Sequence, residues 1–284
     1  MSRNALIHRM TILSVAIAAA PLSALADAPA PLDRFYVSAD LQSSAVDFDV
    51  RWDYDDESRG REVGFGELGL AHITGHMWEA GATLGGVHRF EAFGWNFGDK
   101  GFGRLPNEVI VHGNTMGAGT RVSSYLNVNM QGFAYTWFFN RGERHAFGVG
   151  VGAVRYELTG QADFNVAGFP GSFIIDNHFG EKIDMPMVRA EYVRTFGEKW
   201  RFVADASYAH RGSDNAKGRG TEANAGIEFL PVRHLSIAVR YNHTRVDLDL
   251  QGRRPEETSA ADPDYWGAMH MRHSGPQLIA SLRF

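Results

Sequence analysis

From about residue 35 to the carboxyl terminus the chain alternates apolar and polar residues in runs. That is the period of a strand, whose side chains point to opposite faces in turn. The last run, residues 274–284 (SGPQLIASLRF), puts Leu278, Ala280, Leu282 and Phe284 on one face and Gln277, Ile279, Ser281 and Arg283 on the other. Strand 200–210 sets Trp200, Phe202, Ala204, Ala206 and Tyr208 against Arg201, Asp205 and Ser207. Strand 222–229 sets Ala223, Ala225, Ile227 and Phe229 against Glu222, Asn224 and Glu228. Strand 235–242 sets Leu235, Ile237, Val239 and Tyr241 against Ser236, Arg240 and Asn242. Strand 121–138 reads with Leu126, Val128 and Met130 outward and Asn127, Asn129 and Gln131 inward. That phase turns Tyr135 and Trp137 inward as well, and a bulge at Gly132 would repair it.

The runs are separated by connections that alternate in length. Short turns are predicted at 73–76, 140–144, 197–199 and 231–234, and longer polar connections at 53–61, 98–119, 159–181, 211–220 and 252–270. Short turns on one side and long loops on the other are the pattern of a membrane barrel. The fold class is therefore all-β: a closed antiparallel up-and-down transmembrane β-barrel of about ten strands, with eight as the alternative because 63–72 alternates poorly. Aromatic residues mark the turns: Phe35, Trp78, Trp137, Phe138, Phe147, Phe196, Trp200, Phe229 and Phe284. A second set, Trp95, Tyr156, Tyr208 and Tyr241, is read as the outer interfacial girdle. The opposite parity would place Arg240, Asp205 and Glu228 in hydrocarbon, where a lipid-facing Arg or Lys costs about 2–4 kcal/mol.

The inward positions then collect both signs of charge: Glu79, Arg89, Glu91, Arg189, Glu191, Arg201, Asp205, Glu222, Glu228 and Arg240. A narrow barrel has an interior that side chains can fill, so Arg–carboxylate pairs with bound water are expected. A charge-lined pore is the alternative. Gly148, Gly150 and Gly152 share the inward face, leaving room either for a large neighbour such as Tyr125 to lie across them or for a small ligand.

Composition adds the compartment. Arg3, His8 and Arg9 precede an apolar stretch and the small residues Ala24-Leu25-Ala26, the form of a cleaved secretory signal over residues 1–26. The apolar core is too short for a membrane-spanning helix, which needs about 20 residues. Residues 27–284 form one domain, the barrel. The chain has no cysteine, so no disulfide staples it. A net charge of −5 offers no nucleic-acid footprint. No cofactor or metal is expected.

With signal and ladder in place, the closing run SGPQLIASLRF resembles the last strand of bacterial outer-membrane barrels. That resemblance makes Leu278, Ala280, Leu282 and Phe284 an assembly signal read by the outer-membrane assembly machinery. The mature chain resembles the superfamily of small barrels that includes opacity proteins and the membrane domain of outer-membrane protein A. It implies a Gram-negative cell outer membrane, with lipid and lipopolysaccharide as partners; activity does not follow from the fold.

Three constellations carry candidate chemistry. His210, Ser213 and Glu222 are loosely similar to the His-x-Ser-Asn pattern of lipid A 3-O-deacylases, which use a Ser–His–acid triad facing lipid; here Ser213 is three residues from His210 rather than two. Asp47, Asp49, Asp247 and Asp249 are paired rim acids. They resemble the carboxylate dyad of omptin proteases, but no Asp-x-His partner is present and His243 is a poor substitute. The segment 164–179 is apolar for an outer connection and folds as an extension hairpin about Phe169-Pro170-Gly171, its tip a contact site for a surface ligand. The expected role is non-enzymatic, envelope-structural or surface interaction through the loops. A lipid A-modifying enzyme and a narrow porin are the alternatives.

Overall fold

The computed structural model describes residues 30–44, 46–53, 63–64, 73–105, 107–111, 114–165, 177–212, 216–252 and 265–284. The predicted signal, Ser213 and the hairpin tip about Pro170 lie outside them. The strands are β1 (Phe35–Ser44), β2 (Val46–Asp53), β3 (Val63–Gly64), β4 (Ile73–Leu84), β5 (His88–Arg104), β6 (Val109–Val111), β7 (Asn114–Met116), β8 (Arg121–Arg141), β9 (His145–Asn165), β10 (Asn177–Phe196), β11 (Trp200–Gly212), β12 (Ala216–Val232), β13 (Leu235–Gly252) and β14 (Tyr265–Arg283). The pair β6–β7 stands apart as its own hairpin. All the others belong to one antiparallel sheet that closes where β1 meets β14. Strands β1 and β2 pair with β14 in a single register, Gln42 opposite Gln277 and Val46 opposite His273, so together they fill one place in a ten-stranded wall.

Closure comes with a stagger. A sideways walk from Phe35 passes through Ala82, Phe90, Tyr135, Val151, Val188, Tyr208, Thr221, Arg245 and Arg272. It returns at Asp47, twelve residues farther along the chain. Such a stagger requires strongly tilted strands, about 40° in barrels of this kind. The seam is tied at its lower end by backbone bonds from Arg34 and Phe35 N–H to the Phe284 carbonyl (2.9 and 3.0 Å).

Two predicted connections move. The segment 73–76 lies inside β4, and the turn sits at Gly85–Gly86 instead, both at positive φ (59° and 70°). With the Val87 N–H donating to the Leu84 carbonyl, this is the left-handed two-residue hairpin turn that glycine favours. The predicted long connection 211–220 is short: β11 runs to Gly212 and β12 begins at Ala216. The turns at 197–199 and 233–234 fall as predicted.

The long strands explain the remaining differences. Strands β8 and β9 are 21 residues each and β10 is 20. Only about 9–11 residues are needed to cross the hydrocarbon, so each wall strand continues well past it. Parity is kept throughout, but its meaning inverts. In the lower half the inward residues are polar (Ser236, Arg240, Asn242) and the outward ones apolar (Ile237, Val239, Tyr241). In the upper half of the same strand Val246 and Leu248 are buried inside while Asp247 and Asp249 face out. The upper lumen is thereby packed with Phe93, Trp95, Phe97, Leu126, Val128, Met130, Tyr156, Ile183, Met185, Met269 and Met271.

This corrects three expectations. Leu126, Val128 and Met130 point inward, Asn127, Asn129 and Gln131 point outward, and Trp137 is exposed on the lipid side. No bulge occurs at Gly132; the register shift of β8 against β9 lies between Phe138 and Asn140. Trp95 and Tyr156 are core residues rather than girdle, because they belong to the half whose solvent is water. Tyr208 and Tyr241 do face outward. Near the turns Phe138 is 1 % exposed, inside the barrel, while Trp78 faces lipid in mid-strand.

The inversion predicts opposite responses to charge on one strand. Val239→Arg, in the lipid belt, is expected to lower stability by about 2–4 kcal/mol. Asp249→Arg, on the same face above the belt, is expected to change it by less than about 0.5 kcal/mol. Urea unfolding in phospholipid vesicles measures both.

Candidate functional site: a sealed lumen and a charged outer rim

In the lower lumen the inward charges meet in two clusters. Glu228 on β12 is fully buried and accepts from three arginines: Arg201 of β11 (2.7 Å), Arg240 of β13 (2.7 Å) and Arg283 of β14 (2.8 Å). Asp33, just ahead of β1, accepts from Arg201 (3.0 Å) and from Arg283, and the Pro31 carbonyl takes a further bond from Arg201 (3.3 Å). The chain entering the barrel thus folds into its lower mouth and is held there. The second cluster bridges the lumen from β5 to β10: Arg89 pairs with Glu191 and Arg189 with Glu91, while the Tyr36 hydroxyl donates to Glu91. The Arg89 guanidinium also lies over the Phe138 ring, 4.9 Å from its centre.

Glu79 and Asp205 line the space between these clusters. Asn224 donates to Asp205 (3.2 Å) and to Glu222 (3.0 Å), and Asn242 also donates to Glu222 (3.2 Å). The structure therefore gathers all ten sequence-derived lumen charges in the lower barrel. The open volume among them is only about 30 Å³, room for one or two waters. Arg189 Nε, Glu191 Oε2, Arg201 Nη2 and Arg240 Nε accept or donate no hydrogen bond among the described residues, and their residues line that space. Gly148 and Gly150 lie against the neighbouring β8 strand. A Cβ at Gly150 would sit 2.3 Å from the Tyr135 carbonyl, and at Gly148 2.9 Å from the Phe138 ring. It is Phe138 and Thr136, not Tyr125, that fill the space beside them.

Sequence reasoning missed Asp33, Tyr36 and Arg283. Arg283 was legible, since the alternation of the closing strand already turned it inward. Asp33 precedes the first strand, where no periodicity exists to orient it.

The deacylase-like constellation is not assembled. His210 faces outward and stacks beside Tyr208, with ring centres 6.2 Å apart, whereas Glu222 faces the lumen. The barrel wall separates the two, and Ser213 lies outside the described residues. The rim acids fare differently. Asp247 Oδ1 is 3.0 Å from His270 Nδ1, and Asp249 faces out. Asp49 is the register neighbour of His270 on its other side, and Asp47 that of Arg272. The side chains of Asp47 and Asp49 lie outside the described ones. The Asp–His contact arises between neighbouring strands, so no short motif announces it, and it faces the exterior rather than the lumen. Above the hydrocarbon on the opposite wall, Arg155 and Asp184 form a two-bond pair (2.6 and 2.9 Å), and the bond from Arg155 holds the Asp184 carboxyl below the usual range. Leu278, Ala280 and Phe284 of the closing strand all face the lipid side.

No family model and no curated relative matches the chain. Among solved structures, the outer membrane protease OmpT from Escherichia coli is similar over 88% of this chain and 97% of its own, with 10% identity and a TM-score of 0.47. The translocator domain of autotransporter NalP from Neisseria meningitidis covers 99% and 95%, with 10% identity and a TM-score of 0.41. Ail, the attachment invasion locus protein of Yersinia pestis, covers 87% and 99%, with 9% identity and a TM-score of 0.27. Likeness at these levels transfers no activity.

Removing one member of a buried pair leaves the others uncompensated, at about 3–5 kcal/mol. Glu228→Ala is therefore expected to destabilise the barrel by that amount in vesicle urea titrations. Arg155→Ala, which breaks an exposed and solvent-screened pair, is expected to leave the urea midpoint nearly unchanged. The closed ten-stranded wall and the apolar lower belt give this chain the fold of an antiparallel up-and-down β-barrel with an apolar outer face.

Proposed function

We propose that this protein is a non-conducting outer-membrane barrel that works through its outer surface, as an envelope-structural or surface-interaction protein. The carrying observation is the double seal. Ion pairs cross the lower lumen and an apolar core fills the upper one. A hydrated ion entering from below meets Arg201 and Glu228, which hold each other, and from above meets buried Leu248, Met269 and Met271. Among the described residues neither half offers a continuous aqueous path, which argues against the narrow-porin alternative. With Glu222 inside and His210 outside, nothing assembles the deacylase-like triad either.

The same seal supports a display role. The upper barrel is packed like a water-soluble one, so it stands as a rigid pedestal for the connections at its rim. Export by the amino-terminal signal, recognition of the closing strand by the assembly machinery, and contact of segment 164–179 with a surface ligand complete this reading.

Planar-bilayer recording tests it. Wild-type protein is expected to give no steady single-channel steps, and Glu228→Ala only irregular openings. Regular large steps from the wild type would overturn the proposal.

A further inference from the structure

On each strand the first charged outward residue above the apolar belt marks the height at which the wall leaves hydrocarbon. On β9 and β10 these residues are Arg155 and Asp184, which neutralise each other. On three consecutive strands of the other wall they are Arg219 of β12, Arg245 of β13 and Arg272 of β14, all of one sign. Arg245 and Arg272 are direct cross-strand partners. Like charges placed directly opposite one another destabilise a sheet.

Among the described side chains, Asp247 is the acid beside the pair, and it also lies opposite Arg219. Asp247 takes only the Nε of Arg245 (2.9 Å) and shares its carboxylate with His270. Asp47 is the register neighbour of Arg272 on β2, and its side chain lies outside the described ones. One outward step below the arginines, His243 Nδ1 and Ser274 Oγ are 2.6 Å apart across the same two strands. Directly below His243 on β13 the Tyr241 side chain stands out from the wall, while beside it Ala206 and Ala223, in the same sideways row as His243 and Ser274, are small. The face therefore offers paired guanidinium groups at headgroup height, neutral hydrogen-bonding groups just beneath, and an apolar floor of small side chains flanked by Tyr241.

We infer that Arg245 and Arg272, with His243 and Ser274 below them, form a binding site for the phosphate of an outer-leaflet lipid headgroup. The phosphate lies between the two guanidinium groups, which donate to its oxygens, and the acyl chains run down over Ala206 and Ala223. Guanidinium is the side chain best matched to phosphate oxygens. This rests on the lipid-embedded reading of the lower barrel, and it names a ligand chemistry and a place for it.

Native mass spectrometry of the full barrel in a neutral maltoside detergent provides the test. The probes are monophosphorylated lipid A, the same lipid dephosphorylated, and inorganic phosphate. Wild type is expected to retain the phosphorylated lipid preferentially. The double substitution Arg245→Gln and Arg272→Gln is expected to weaken that retention by roughly twentyfold, since each surface arginine near a lipid phosphate contributes about 1 kcal/mol. Arg155→Gln, on the opposite wall, is expected to leave it unchanged. Equal retention of the two lipids by wild type, or an unchanged preference in the double variant, overturns the site while leaving the barrel reading intact. Displacement by millimolar inorganic phosphate assigns the pair to free phosphate and overturns the lipid. If no lipid of either kind binds any form, the embedded reading itself fails. Persistence of the folded, heat-modifiable band for the double variant shows that a loss of binding is not a loss of fold.

Discussion

A side chain on a strand has only two directions, and in a closed barrel those directions are inside and outside for its whole length. Where their side chains are described, the long strands of this protein keep that alternation through the height at which the surroundings change from hydrocarbon to water. The register shifts of β8 and β12 lie below that height, near the lower turns. The sequence must therefore exchange which parity is apolar part-way up each strand. On β13 the exchange falls between Asn242 and Val246 inside and between Tyr241 and Arg245 outside. On β8, which runs the other way, Val128 and Met130 are inside the upper half, while Thr136 is inside the lower and Phe133 and Trp137 outside it. The membrane boundary is thus written into the wall as a change of sign at constant register, with no bulge or kink required to produce it.

That constraint decides how the lumen is filled. In the lower half the outward face has taken the apolar residues, so the inward face is left with polar and charged ones, which cannot stay buried without partners. Five arginines meet carboxylates there, and the pairing is long-range: β5 reaches across to β10, and Glu228 gathers arginines from three other strands. Burying a charge pair is a poor source of net stability, but losing one partner is costly. These contacts therefore act mainly to exclude alternatives. A strand slipped by one residue would turn its arginine into lipid and strand a carboxylate inside. Asp33 extends the logic to the barrel seam, because it ties the residues before β1 to Arg283 on the last strand and Arg201 on the far side of Glu228.

What the sequence displayed follows from where period-two reasoning is valid. Strands β11 to β14 were legible in their lower halves because Arg201, Asp205, Glu228 and Arg240 can face only one way when the other side is hydrocarbon. The same rule, carried into the upper half, misassigned Leu126, Val128, Met130, Trp95 and Tyr156, whose outer solvent is water. The turn at Gly85–Gly86 carried its own signal, a glycine pair between alternating runs, and was hidden because alternation continued on both sides of it. Contacts that cross the lumen, such as Arg89 with Glu191, depend on which strands face each other. So does the Asp247–His270 pair, which depends on the β13–β14 register. A single chain read in order does not contain those distances.

Ion pairs and an apolar core fill the described lumen, and on the outside the wall is not uniform. Charges on the upper exterior mostly alternate in sign between neighbouring strands, as Arg155 with Asp184 and Lys182 with Glu157 show. Such a surface is well solvated and has little net attraction for anything. The departure from that pattern at Arg245 and Arg272 lies above a stretch of the outer wall that carries the small residues Ala206 and Ala223. A barrel that only needed to stay soluble at its upper end had no reason to set two arginines opposite each other at the membrane edge. The lipid phosphate inferred above would give that arrangement a physical cause, and on that inference the lipid is a component of this face rather than its surroundings.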